Sequence, residues 1–193
     1  IAFARELASA NAPAISVVTE REHFGGSIEL LQEIHKNIDL PILRKDFIKS
    51  REDLTQTSSS GAAAVLLICS SLTPEKLKIL FFESLELGLE PLIEVHNKIE
   101  LELAISLKPK MIGINNRDIT ELEKDDGTIL TTAELAAEIP EDIFVISESG
   151  IMSLNDRQMA LLSGADAILV GTAIWNSKDP LGFYLSLSGE EVN

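Results

Sequence analysis

A single cysteine among 193 residues leaves no internal disulfide to form and fits a reducing compartment. It lies in the apolar run Val65-Leu66-Leu67-Ile68-Cys69, where a small buried packing residue is expected rather than a nucleophile. No apolar run approaches the roughly 18 residues that a membrane helix needs. No signal peptide is visible, so a cytoplasmic protein is expected. Positive charge is scarce: 16 Lys and Arg stand against 31 Asp and Glu, a formal net charge of -15. That balance speaks against general nucleic-acid or anionic-membrane binding. An anionic substrate would have to be drawn by a local cluster. The three histidines, His23, His35 and His96, show no metal-ligand spacing, and no metal is expected. His35 is expected to be solvated on a helix, and His96 to shape a loop. No glycine-rich phosphate loop follows the first visible strand.

What the chain does have is 45% apolar content, enough for one domain with a real core, and a regular beat. Short apolar runs centred near residues 16, 42, 66, 93, 113, 145 and 169 alternate with helical patterns. Ser27 precedes apolar positions Ile28, Leu31, Ile34 and Ile38 at three-to-four spacing. Thr73-Pro74 caps a helix that Gly88 is placed to end, and Asn97 with Glu100 is a helix-start signature. Further helices are expected near 131–138, over 153–163 and from Pro180, with a frayed tail over 188–193. Residues 51–60 should be helical by position, although Thr55-Gln56-Thr57-Ser58-Ser59-Ser60 are poor helix formers.

Strand and helix alternating at this spacing give right-handed crossovers and a parallel sheet. An open doubly wound sheet and a closed barrel of eight strand–helix units both satisfy that rule. The polar endings of nearly every strand favour the α/β barrel. Eight helices but seven strands are counted, and the chain opens at Ile1 inside a helix. The expectation is one domain over residues 1–193 carrying strands two to eight of a (β/α)8 barrel, with the first strand missing. Seven strands alone would leave two apolar edges unpaired.

The strand endings carry the chemistry. Leu40-Pro41-Ile42-Leu43 runs into Arg44-Lys45-Asp46-Phe47, three charges and an aromatic at the end of a buried strand. Lys45 is either a surface charge or, aimed into a barrel mouth, a proton donor or anion clamp. Glu94, after Pro91-Leu92-Ile93, either partners Lys45 across that mouth or makes a structural ion pair. Asn115-Asn116-Arg117-Asp118 is a polar cluster suited to oriented hydrogen bonding, or a turn with a capped helix start. Ser149-Gly150 and Gly171-Thr172 follow the last two strands, where this fold places phosphate. Backbone N–H groups there would hold an anion without net positive charge, unless the glycines merely make turns.

Taken together, these runs resemble indole-3-glycerol-phosphate synthase. The resemblance is carried by Ala14-Ile15-Ser16-Val17-Val18-Thr19, Phe24-Gly25-Gly26-Ser27, Leu43-Arg44-Lys45-Asp46-Phe47 and Ile93-Glu94-Val95-His96. It continues through Gly113-Ile114-Asn115-Asn116-Arg117-Asp118, Ser147-Glu148-Ser149-Gly150-Ile151 and Val170-Gly171. It implies a (β/α)8 barrel and a late step of tryptophan biosynthesis. There 1-(2-carboxyphenylamino)-1-deoxyribulose 5-phosphate is cyclised with loss of carbon dioxide and water, without cofactor or metal. By the same resemblance Lys45 is the general acid, and Glu94 orients it and relays protons. Asn115 and Arg117 orient the substrate, with Glu148 beside them. Ser149, Gly150, Gly171 and Thr172 hold the phosphate, and Phe24 and Phe47 wall the anthranilate ring. The implied partners are the anionic sugar-phosphate substrate and other tryptophan-pathway enzymes.

The chain also departs from that pattern. The family's first strand carries a Glu and a Lys followed by a Ser-Pro-Ser run, and none of it is here. The Thr/Ser-rich stretch 55–60 replaces a firmer helix. Two other readings compete: a crippled paralogue that only binds sugar phosphate, and a related barrel enzyme such as phosphoribosylanthranilate isomerase. The Lys-Asp-Phe and Asn-Asn-Arg-Asp runs speak against the second.

Overall fold

The computed structural model describes residues 1–117 and 129–189. Asp118, the loop through Asp125-Asp126-Gly127 and the last four residues lie outside them. The chain divides into two compact units, Ile1–Ile93 and Glu94–Asn193.

In the first unit, α1 (Ala2–Ser9) leads into β1 (Ile15–Val18), α2 (Ile28–His35), β2 (Ile42–Lys45), α3 (Arg51–Ser59), β3 (Ala64–Ile68) and α4 (Pro74–Glu86). β1 pairs parallel with β2, Val18 opposite Lys45, and β2 pairs parallel with β3. Val17 and Ile42 pack with Ala4, Leu31, Ile34, Ile38 and Ala62, so one face of these strands makes a core against α1 and α2. Burial of such side chains contributes about 1.5–3 kcal/mol each. Ser27 caps α2 by accepting from the Leu30 N–H, and Thr73 caps α4 with Pro74 at its first turn. Gly26 has a steric reason to be glycine: a Cβ there would stand 2.3 Å from the Val18 carbonyl oxygen. Cys69 is buried, as expected of a packing residue.

Helix α3 forms despite its poor helix formers, and the reason is twofold. Ser50 and Asp53 make a reciprocal capping box at its start. Its hydroxyls are then used: Thr57 is fully buried and takes a hydrogen bond from Arg44, while Ser58 donates to the Leu87 carbonyl.

β4 (Glu90–Val95) spans the division between the units. The second unit continues with α5 (Lys98–Ser106), β5 (Met111–Asn115), α6 (Leu130–Leu135) and a 3-10 turn over Ala136–Glu138. β6 (Phe144–Glu148), α7 (Leu154–Leu162), β7 (Ala167–Leu169), α8 (Thr172–Asn176) and α9 (Pro180–Ser188) follow. β5, β6 and β7 pair parallel in that order, with Asn115 opposite Glu148 and Glu148 opposite Leu169. Asn97, Ser153 and Asp179 cap α5, α7 and α9.

All seven strands fall where the apolar runs place them. One α-helix was not expected: α8, five residues directly after Gly171, makes nine α-helices among the described residues instead of eight. A single turn with no cap signal is too short to show a period.

Candidate active site

In the first unit, the three charges ending β2 do not share one role. Arg44 is buried, only 5% exposed. Its Nε donates to Thr19 Oγ1 (2.9 Å) and its Nη1 to Thr57 Oγ1 (2.9 Å) and the Asp53 carbonyl (3.1 Å). Its Nη2 pairs with Asp46 Oδ2 at 2.9 Å, and that same oxygen accepts from the Thr19 hydroxyl. Asp46 Oδ1 meanwhile accepts from the Phe47 N–H at 2.8 Å. Arg44 thus faces the helix layer, bonded to Thr57 and the Asp53 carbonyl of α3. Side chains alternate along a strand, so Lys45 projects to the opposite face, with Leu43. Its two neighbours, Arg44 and Asp46, pair with each other. Lys45 is itself half-buried. Phe24 and Phe47 are 59% and 43% exposed, and Lys49 Nζ stands 5.9 Å from the Phe47 ring centre.

The loop after β1 is tied by Glu20, whose carboxylate accepts the backbone N–H groups of Glu22, His23 and Phe24. Burial alone would raise its pKa, but these bonds hold it below the ordinary carboxylate value. Glu20, Glu22 and His23 bring their ligand atoms within 4.8 Å of one another, a grouping the sequence spacing did not suggest. Since Glu20 already serves the loop backbone, the group acts as a loop clasp.

In the second unit, Glu94 is 3% exposed at the end of β4. Its Oε1 accepts from Asn115 Nδ2 at 3.1 Å and lies 3.3 Å from His96 Nε2. The other nitrogen of His96, Nδ1, is 3.0 Å from Glu100 Oε2, and the His96 backbone N–H donates to the same oxygen at 2.8 Å. Burial alone would push the imidazolium pKa down. The hydrogen bonds and charges of Glu100 and Glu94 outweigh burial and lift it to about 9. Burial would raise Glu100, and its bonds from His96 hold it low instead. His96 is therefore a buried ion-pair centre and more than a loop-shaping residue.

The Asn115–Arg117 cluster separates into three functions. Asn115 holds Glu94 with its amide and takes the Arg117 N–H on its oxygen at 3.0 Å. Asn116 is buried and structural. Its Nδ2 donates to Ser147 Oγ, the Glu148 carbonyl and the Ser149 carbonyl, and its Oδ1 accepts from the N–H and hydroxyl of Thr132. These bonds lock the ends of β5 and β6 to the start of α6. Arg117 is half-buried, and Glu148 is 1% exposed at the end of β6.

Beyond Glu148 the backbone turns through two left-handed residues, Ser149 (φ 62) and Gly150 (φ 71). A serine there is strained, at a cost on the order of 1 kcal/mol. Gly171 has no such requirement: its φ is negative, and a Cβ would meet nothing within 4 Å. Its neighbour Thr172 is exposed at the start of α8.

Two residues of this site escape a reading of the sequence. Glu100 signals only a helix start, although Glu94, His96 and Glu100 lie at spacings that allow one ring to meet both carboxylates. Thr132 gives no signal, because its partner Asn116 is 16 positions away.

Parallel strands alternating with helices, with ionisable side chains at strand ends within each unit, are the pattern of an α/β enzyme. Comparison with known proteins narrows this. The family model described as indole-3-glycerol phosphate synthase matches residues 1–184. The proteins of that name from Pyrococcus abyssi and Thermococcus kodakarensis are both 44% identical to this chain. The first match covers 91% of this chain and 76% of the relative, the second 95% and 80%. The one from Geobacillus thermodenitrificans is 38% identical over 99% of this chain and 73% of its own length. The chain belongs to the indole-3-glycerol-phosphate synthase family.

Proposed function

We propose that the strand-end residues carry out the family reaction, in which 1-(2-carboxyphenylamino)-1-deoxyribulose 5-phosphate becomes indole-3-glycerol phosphate. The chain is a carboxy-lyase of tryptophan biosynthesis. A carbon–carbon bond forms between the carboxyl-bearing ring carbon and the ribulose carbonyl carbon. Carbon dioxide then leaves, the ring regains aromaticity, and loss of water completes the indole.

Each step makes a demand on this chain's own residues. Attack by the ring turns the carbonyl oxygen into an alkoxide, and Lys45 protonates it as general acid. Positive charge grows on the ring nitrogen, and the ionised Glu94 carboxylate balances that charge and takes up protons. Asn115 fixes the Glu94 carboxylate, and Arg117 and Glu148 orient the polar groups of the substrate. Backbone N–H groups at Ser149, Gly150, Gly171 and Thr172 hold the phosphate, with Phe24 and Phe47 against the anthranilate ring.

The observation that carries this reading is the buried Glu94 carboxylate, held on one oxygen by the Asn115 amide, with His96 Nε2 3.3 Å from the same oxygen. An orienting hydrogen bond keeps a carboxylate aimed, as a proton-relaying group requires. The test is to supply the ribulose phosphate and follow indole fluorescence together with released carbon dioxide. Stoichiometric appearance of both is expected. Binding without carbon dioxide release would favour the sugar-phosphate-binding reading.

A further inference from the structure

We propose that His96 is a positioning residue for this reaction: held by Glu100 on one ring nitrogen, it presents the other to Glu94 and fixes that carboxylate in its working, ionised state. The inference rests on the role given to Glu94 under the proposed function.

The geometry carries the argument. Glu100 Oε2 already accepts the His96 backbone N–H, and its Oε1 accepts from Asn97 Nδ2, so the carboxylate is committed as an acceptor. The ring nitrogen beside it, Nδ1 at 3.0 Å, must then carry a proton. That leaves Nε2, 3.3 Å from Glu94 Oε1. A neutral ring with its proton on Nδ1 would turn a bare lone pair toward a carboxylate. Two acceptors would then be in near contact within a site where the histidine side chain is 9% exposed and the glutamate 4%. Protonation of Nε2 turns that repulsion into an ion pair across 3.3 Å, and Nε2 is a buried nitrogen that makes no hydrogen bond of its own among the described residues. Two carboxylates face one ring, Glu94 from the strand that leads into His96 and Glu100 from α5. From β5, the uncharged Asn115 reaches Glu94. The lifted pKa of the ring agrees with this charge state.

The consequence is directional. Asn115 and His96 both contact Oε1 and leave the orientation of Oε2 set by the same clamp. The positive ring stands 3.3 Å from Glu94 Oε1, so the carboxylate has a fixed countercharge beside it where ring charge must be balanced. Glu100, on the first turn of a capped helix, is the rigid post behind the histidine.

The test combines ring spectroscopy with kinetics on the whole chain. Nitrogen-15 spectra of histidine-labelled protein should show both His96 ring nitrogens protonated at about pH 8, and Glu100→Gln should lower that titration by about a unit or more. In turnover assays, His96→Leu should cut kcat by about tenfold or more with KM within about threefold, and should move the acid limb of the kcat profile to higher pH. His96→Gln, whose amide can donate to Glu94, should recover much of kcat. A His96 ring that is neutral at about pH 7 overturns the proposal. So does an unchanged kcat profile in His96→Leu. If that variant does not fold, an unchanged profile in both His96→Gln and Glu100→Gln overturns it in the same way. A parent chain without turnover strikes the proposed function instead. The ring spectrum then decides alone: Glu94→Gln must shift the His96 titration, and no shift overturns the inference.

Discussion

Asn115 donates from its amide to Glu94 Oε1 across 3.1 Å, so the end of β5 aims the carboxylate at the end of β4. Asn115→Ala should therefore lower kcat by about ten- to a hundredfold, the scale of one lost orienting contact in a reaction centre. Asn115→Asp should be worse, because a second carboxylate facing Glu94 raises the pKa of the pair. Steady-state kinetics across pH check both. An Asn115→Asp profile matching that of Asn115→Ala would deny the electrostatic part.

Lys45→Ala should remove ring closure by about 10²–10⁴ in rate while inorganic phosphate still binds as a competitor with near-parent affinity. Lys45→Arg should not restore the rate, since a guanidinium hardly releases its proton. Normal indole formation by Lys45→Ala would take Lys45 out of its role.

Arg44 supports Lys45 from the other face of the strand. Arg44→Met removes one partner of a buried pair and strands Asp46, and it should destabilise the protein by about 3–5 kcal/mol. Urea unfolding monitored by circular dichroism gives the number. The double variant Arg44→Met with Asp46→Asn should lose less than Arg44→Met alone, because no uncompensated charge remains.

Stability should also depend on pH through His96. Its folded pKa, about 9, lies above its ordinary value of 6.5. The folded state thus holds an extra proton between those values. The contribution is complete below about pH 6.5 and is lost as pH rises through 9. Glu100 acts in the opposite sense: its lowered pKa adds stability above the ordinary value of 4.5, lost as pH falls. The parent Tm should fall from neutral pH toward pH 9, and His96→Gln should flatten that fall. Parallel Tm curves for the two proteins would contradict the assignment.

Ser149 sits at φ 62 while its carbonyl accepts from Asn116. Ser149→Gly should keep stability or raise it by up to about 1 kcal/mol, whereas Ser149→Val should lower it by roughly 1–3 kcal/mol. If backbone N–H groups hold the phosphate, Ser149→Gly should bind inorganic phosphate within a few-fold of the parent. Isothermal titration measures this directly, and a large loss would assign the grip to the hydroxyl.

The elements themselves were legible in the amino-acid order. Caps such as Ser27, Thr73-Pro74 and Asn97 act within one helical turn, and buried parallel strands announce themselves as short apolar runs. Their polar endings single out Lys45, Glu94 and Asn115 as candidates from the sequence alone. The division of labour among neighbours was decided by tertiary structure. Arg44 and Lys45 are adjacent in sequence and opposite in fate, because successive side chains leave a strand on opposite faces and only packing says which face meets α3. Asn115 and Asn116 part in the same way, one to Glu94 and the other into a buried lattice with Thr132 and Ser147. The charge on His96 could not be read from its position either. A histidine is pulled to about 9 only where burial is outweighed by two carboxylates at hydrogen-bond range, and that balance exists only once β4 and α5 have folded together.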